Sequence, residues 1–295
     1  MNVAVYGQRV TKQNSEYFME FLGVLKDFGW NPIVHKDLKE TLIKKIGLSE
    51  STDEFSSYKD FSTGIDLSFC LGGDGTFIKN VKFVRDSGVP VMGINTGRLG
   101  FLANVGREHI QEAMDLVYRK EYVHQKRSMI RVETADNLFG DENIALNEIT
   151  LQKKDTSSMI TVHASLEDKY LNSYWADGLI VATPSGSTAY SLSCGGPIIT
   201  PGCQVHILTP IAPHNLNVRP MVVPDHMPIK LVVEGRSRRY LVSLDGHSQS
   251  IRQGEEVIVH KADYMVNVIK FEENNFLDTI RNKMHWGIDK RNDSK

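Results

Sequence analysis

A glycine-rich turn, Gly72 to Thr76, follows an apolar segment and precedes a run with helical spacing in LSFCLGGDGTFIKNVKF. Glycines allow positive φ and leave no Cβ between the peptide N–H groups and a ligand. Such N–H groups, with a helix N-terminus behind them, favour phosphate. Gly72, Gly73, Gly75 and Thr76 are therefore candidate phosphate-cradling residues. Asp74 stands among them, where a carboxylate beside phosphate is unfavourable unless it binds a metal ion or takes a proton. That makes Asp74 a candidate catalytic group, with helix capping as the plain alternative. Lys79, one turn further on, is either a phosphate partner or a solvated helix lysine. No Gly-Lys-Ser/Thr follows the turn and no G-x-G-x-x-G is present, which sets aside the Walker and dinucleotide-oxidoreductase patterns.

Further groups lie in the second half of the chain. Asn147-Glu148, in ALNEITL, can donate to and accept from sugar hydroxyls or an adenine edge; a turn with a solvated carboxylate is the alternative. Asp177-Gly178 reads as a hairpin turn ahead of a strand. The run Thr183 to Tyr190 is rich in small residues that permit close backbone approach, and Tyr190 offers a flat face for stacking or a core aromatic.

These residues need positioning elements. Asn2 to Tyr6, Pro32 to His35, Asp66 to Leu71 and Pro90 to Ile94 are short apolar runs that read as buried strands. Ser15 to Phe28 places Phe18, Phe21, Leu22 and Leu25 on one helical face, and Phe77 to Arg85 has the same spacing. Strands alternating with helices predict a parallel, Rossmann-like sheet covered by helices. After about residue 122 the texture becomes β-rich, with short segments from Ser128 to His260 punctuated by turn residues, which predicts an all-β, sandwich-like domain. Ser187 to Cys194 breaks that series as a short helix, and Asn275 to Met284 is helical again. The expected organisation is 1–122 as an α/β domain, 123–270 as the β-rich domain, and 271–295 packing back on the first. The three arginines within Arg236 to Arg239 read as a hairpin tip or a solvated face.

The 295 residues carry a net charge of −2, with 41% of residues hydrophobic. A sizeable core is possible, and there is no basic excess or stripe of the kind that binds nucleic acid. No apolar run is long enough to span a bilayer, and MNVAVYG lacks the charged start and cleavage site of a signal peptide. Cys70, Cys194 and Cys203 show no CxxC spacing, which fits a reducing cytoplasm rather than a disulfide framework or zinc site. His206, His214, His226 and His260 are scattered and read as structural, with His214 to Arg219 a candidate neighbour of a subunit contact.

GGDGTF resembles the signature shared by NAD kinases, the diacylglycerol and sphingosine lipid kinases and, more distantly, phosphofructokinases. ALNEITL and WADGLIVATPSGSTAYSLSCGGPII, in order and spacing, resemble the NAD kinases specifically, as do GINTGRLGFL (Gly93 to Leu102) and NNFLDTIRNK (Asn274 to Lys283). The likeness covers nearly the whole chain, although LQKKDTSS matches no defined contact and leaves Lys153, Lys154 and Thr156 unassigned. The resemblance implies transfer of the γ-phosphoryl group of ATP to the 2′-hydroxyl of the adenosine ribose of NAD, with Asp74 orienting that hydroxyl and accepting its proton. It places the dinucleotide between the two domains, with Asp177 on the nicotinamide part and Ser185, Thr188, Ala189, Tyr190, Ser191, Leu192 and Ser193 lining the site. It also gives His247 a polar contact to the dinucleotide. A divalent cation, Mg²⁺, held mostly through phosphates, and a homodimer or homotetramer are implied as well. A lipid kinase would need a membrane-facing acceptor site, and no basic amphipathic helix supplies one. A non-catalytic nucleotide sensor would be expected to have lost Asp74, which is present.

Overall fold

A computed structural model of the chain describes residues 1–8, 10–11, 14–62, 64–97, 100–103, 105–154, 158–271 and 276–286. They group into two compact units: Met1–Gln125 with the segment from Asn267 onward, and Lys126–Val266.

The first unit is built on a seven-stranded sheet ordered Asp53–Phe55, Asn31–His35, Asn2–Gly7, Leu67–Leu71, Val91–Ile94, Val266–Lys270, Val123–Arg127. Its first six strands are parallel neighbours. Parallel strands need crossover helices, which cover both faces, so the central strands do not alternate; Leu67–Leu71 is buried at every position. The order reverses between Asn2–Gly7 and Leu67–Leu71, whose carboxyl ends meet at the Gly7 to Leu71 pairing. Open α/β sheets bind ligands at such a switch point. The helix Ser15–Asp27 buries Tyr17, Phe18, Phe21 and Leu25, the expected face with Leu22 at its margin. The helix Lys36–Ile46 was not anticipated: it buries only Leu38 and Leu42 and stops at Gly47, in the left-handed region at φ +70°.

The second unit has two antiparallel six-stranded sheets. One runs Lys169–Ala176, Ile160–Leu166, Ile229–Glu234, Glu256–Lys261, Ile130–Thr134, Ile144–Ala145. The other runs Met221–Pro224, Val205–Ile211, Gly178–Ala182, Glu148–Gln152, Arg239–Leu244, His247–Arg252. Both sheets contribute to one core, with Val162, Ala164, Leu231 and Val259 from the first and Ile149, Leu151, Val181 and Val242 from the second. Gly178–Ala182 is buried on both faces, because the segment carrying the helix Tyr190–Ser193 covers its outer side through Ile180, Ala182, Ile207, Cys194 and Ile199.

Two expectations change here. Asp177-Gly178 is not a hairpin turn: the strands on either side of it lie in different sheets. Arg236 to Arg239 is likewise no hairpin tip but a crossing, from Ile229–Glu234 in one sheet to Arg239–Leu244 in the other, with its three arginines exposed as a solvated face would have them. Turn residues mark a reversal of the chain without saying which sheet the next strand joins. The expected return of the C-terminal segment is present, and it begins as the strand Val266–Lys270 in the first sheet. The helix Phe276–Met284 continues it, with Phe276 near Phe101 (ring centroids 6.4 Å apart) and Lys283 4.9 Å from the Phe101 ring centre. Among the described residues no helix is long and apolar enough to cross a membrane, and all three cysteines are free.

Candidate active site

In the first unit the helix after the glycine turn begins at Asp74, three residues earlier than the periodicity suggests, with Gly73 as its N-cap. Asp74 does not cap it. Its carboxylate turns to the adjoining loop, where Oδ2 accepts the N–H of Phe101 (2.8 Å) and Oδ1 accepts those of Leu102 and Ala103 (3.0 Å each). Charge-assisted bonds of this kind are about twice as strong as neutral ones. A carboxylate has roughly four lone-pair positions, so three bonds leave one acceptor position, on Oδ2.

Tight approaches make the clamp possible. A Cβ on Gly100 would lie 1.8 Å from Asp74 Oδ1, and one on Gly93 would lie 2.7 Å from Ala103 Cα. A Cβ on Gly72 would lie 2.5 Å from Thr76 Oγ1, so the turn closes only with glycine there. Beneath the helix, Asn80 donates to Ser68 Oγ at 2.9 Å, a buried polar tie to the strand before the turn. Gly73 and Gly75 are exposed with open space at their Cβ positions, as a cradle for a ligand requires. Lys79 is exposed and donates to Gln8 Oε1 at 3.0 Å. Of GINTGRLGFL, Arg98 and Leu99 lie outside the described residues, as do Asn274, Asn275 and Thr156.

The second unit repeats the device. Asp245 and Gly246 form the turn between Arg239–Leu244 and His247–Arg252, both at positive φ (+48° and +84°), the type I′ geometry that suits Asp-Gly. Asp245 Oδ2 accepts the Leu146 N–H (2.7 Å), and Oδ1 accepts those of Asn147 (2.9 Å) and Glu148 (3.1 Å). Thr183 and Gly186 hold the other side. Thr183 Oγ1 donates to Leu146 O, its N–H donates to Asn147 O, and a Cβ on Gly186 would fall 2.1 Å from that same oxygen.

Asn147 and Glu148 are thereby fixed with unspent side-chain atoms, since Asn147 Oδ1 and Glu148 Oε2 are buried without hydrogen-bond partners. Glu148 lines a pocket of about 340 Å³ with Thr150, Gln152, Tyr190, Ser243, Asp245 and Gly246. Burial, and then the Asp245 carboxylate, push the Glu148 carboxyl up to about 8, against a smaller opposing effect of the Tyr190 N–H. Tyr190 is 38% exposed, and its hydroxyl accepts from Gln152 at 3.3 Å.

The remaining expected residues divide. Ser185 is buried and accepts from Arg127, and Thr188 Oγ1 donates back to Ser185 O. Ser191 is turned inward onto Thr209 (2.8 Å), whereas Ala189 and Leu192 are half-buried and Ser193 is exposed. Asp177 is paired with Lys153 at 2.6 Å. His247 packs its ring on Phe139, with Glu142 at 3.8 Å, and Asp177 and His247 are both absent from the pocket's lining. Asp245, Gly100 and Gln152 were not anticipated. For Asp245 a signal existed: the Asp-Gly of LDGHSQS marks the turn, although His247 is the more conspicuous residue there.

Residues 3–122 match the ATP-NAD kinase N-terminal domain and residues 146–271 the ATP-NAD kinase C-terminal domain. The chain is 44% identical to an NAD kinase of Flavobacterium psychrophilum over 294 residues, covering 99% of this chain and all of that one. It is 41% identical to an NAD kinase of Christiangramia forsetii with the same coverage. Among solved structures, an NAD kinase from Archaeoglobus fulgidus in complex with ATP superposes with a TM-score of 0.74 at 26% identity, over 97% of this chain and 99% of that one. Yeast NADH kinase complexed with NADH shares the fold, with a TM-score of 0.85 at 24% identity over 98% and 89% of the two chains.

Proposed function

Because the chain belongs to the NAD kinase family, we propose that it transfers the γ-phosphoryl group of ATP to the 2′-hydroxyl of the adenosine ribose of NAD, giving NADP. The observation that carries this reading is the Asp74 carboxylate, held by three backbone N–H groups beside the glycine turn with one acceptor position left on Oδ2. That position orients the attacking hydroxyl and takes its proton as the phosphoryl group transfers. Phosphoryl transfer depends mainly on positioning and charge neutralisation, so a weak base suffices. Gly72, Gly73, Gly75 and Thr76 cradle phosphates, and Lys79 exchanges Gln8 for a phosphate oxygen. Asn147 and Glu148 hold the sugar or base of the substrate, with Tyr190, Ser185, Thr188, Ala189 and Ser193 around it. Asp177 serves the nicotinamide end and His247 gives a polar contact.

The site also suits an ion that arrives with the donor triphosphate. No three His, Cys, Asp or Glu side chains converge among the described residues, while Asp74 keeps an acceptor position open; Mg²⁺ binds well through phosphates, water and one carboxylate. When bound, the ion supplies charge neutralisation at the transferring group. A cytoplasmic homodimer or homotetramer completes the proposal. Supporting it, Trp175, Leu216, Met221 and Val222 of the second unit are exposed apolar side chains (Leu216 at 87%), a costly arrangement unless covered.

The test is NADP formation from NAD and MgATP by the wild type and by Asp74→Asn. Turnover in the first, with a loss of at least about a hundredfold in the second, is expected. NAD binding without turnover in the wild type would sink the kinase reading.

A further inference from the structure

We propose that Asp245 is a positioning residue for Asn147 and Glu148, and that Glu148 meets the substrate as a neutral carboxyl which donates a hydrogen bond through its O–H. The inference rests on the kinase reading, which identifies NAD as the ligand of this pocket.

The two neighbouring acids occupy opposite environments. Asp245 faces three peptide N–H donors in a row at 2.7, 2.9 and 3.1 Å, and its own N–H returns to Glu148 O at 3.1 Å. All three donors need acceptors, which only the ionised carboxylate supplies fully. Glu148 Oε2 is buried without a hydrogen-bond partner, and the one donor near the carboxyl, the Tyr190 N–H, opposes burial only weakly. An anionic oxygen in that position would bear the full cost of desolvation beside a second negative charge. Where two carboxyls share one locality, the proton goes to the drier one, so the charge stays on Asp245 and the proton on Glu148.

The surroundings do not reverse this assignment. The facing strand Gly178–Ala182 carries no titratable side chain. From the segment Tyr190–Cys194 come the Tyr190 phenol and the Cys194 thiol, both of which burial pushes above their ordinary values and keeps neutral. His247, after the turn, is directed to Phe139 and Glu142. The shift of Glu148 to about 8 agrees in direction.

The ligand chemistry follows from the inventory. A carboxylate can only accept, whereas a neutral carboxyl offers a donor and an acceptor side by side. Next to Asn147 Oδ1, an acceptor, Glu148 supplies the donor that a lone pair on the dinucleotide requires. Ionisation of Glu148 removes that donor.

The experiment is calorimetric NAD binding from pH 6 to 9.5, with turnover followed under the same conditions, for wild type, Asp245→Asn and Glu148→Gln. Thermal melts establish that each variant is folded. The wild-type Kd is expected to rise about tenfold per pH unit beyond the ionisation near 8, as loss of a single proton requires. In Asp245→Asn the like charge is gone, so the onset moves to lower pH, which mere loosening of the loop would not produce. In Glu148→Gln the amide keeps a donor beside an acceptor, and the onset disappears. A flat wild-type profile, or an onset that survives in Glu148→Gln, overturns the neutral carboxyl. An unmoved onset in folded Asp245→Asn overturns the role of Asp245. Wild type that binds and phosphorylates NAD with a flat profile loses this inference alone, whereas wild type that does not bind NAD loses the kinase reading with it.

Discussion

At the scale of single residues, two aspartates do similar work: Asp74 and Asp245 each spend a carboxylate on three consecutive peptide N–H groups. Asp74→Asn keeps the shape but replaces one acceptor oxygen with a donor that faces an N–H. It should therefore lose loop order together with the proposed proton acceptor, and a fall in kcat of at least about a hundredfold is expected in steady-state assays. Glu148 carries a cost in stability. Its carboxyl titrates near 8 when folded, against an ordinary value of 4.5, so the folded protein keeps a proton that the unfolded chain releases. Stability must then fall as pH rises from about 4.5 to about 8. Glu148→Gln removes that loss; melting curves should show it more stable than wild type at pH 8, with the advantage fading toward pH 4.5. The residue types of Gly72–Thr76 and Asn147-Glu148 were legible as candidate chemistry because glycine and carboxylate behaviour is local. Which oxygen of Asp74 stays open was not, because that depends on a loop 27 to 29 residues away.

Elements place these residues through close packing. The strand Val91–Ile94 approaches the clamped loop so tightly that Gly93 has no room for a methyl group against Ala103 or Phe77. Gly93→Ala should cost about 1–3 kcal/mol of stability, the usual range for overpacking, read from urea denaturation. Gly100→Ala puts its Cβ onto Asp74 Oδ1 and must push the carboxylate aside. With Asp74 as the proposed proton acceptor, a displacement of that order costs about a hundredfold in rate, so kcat should approach that of Asp74→Asn. Helical and strand periodicity located most elements, including Ser15–Asp27 and Leu67–Leu71. It missed Lys36–Ile46, where lysines and a glutamate leave too narrow an apolar stripe, and it began the helix after the glycine turn three residues late because Asp-Gly-Thr carries no apolar signal.

Across the second unit, the half-buried Lys261 of one sheet reaches the buried Asp225, just after the strand Met221–Pro224 of the other, at 2.8 Å, with His206 beside it. His206 is fully buried, both ring nitrogens lack partners, and burial lowers its titration to about 4. Below its ordinary 6.5 the unfolded chain takes up a proton that the folded protein refuses. The stability present above 6.5 is therefore lost as pH falls toward 4, by roughly 3 kcal/mol. Melting temperatures between pH 7 and 4 should decline less steeply in His206→Leu than in the wild type; parallel curves would remove His206 from the account. Composition, periodicity and turn chemistry by themselves determined an α/β unit followed by a β-rich one and a glycine-rich turn between strand and helix, while the motifs carried the likeness to the NAD kinases; all of these are written in residue types over short stretches. Only the tertiary structure decided that Asp177 and Arg236–Arg239 cross between sheets, and that Asp245 holds a segment 97 to 99 residues away. The physical reason is that both clamps close on peptide N–H groups, which every residue except proline carries and no side chain announces.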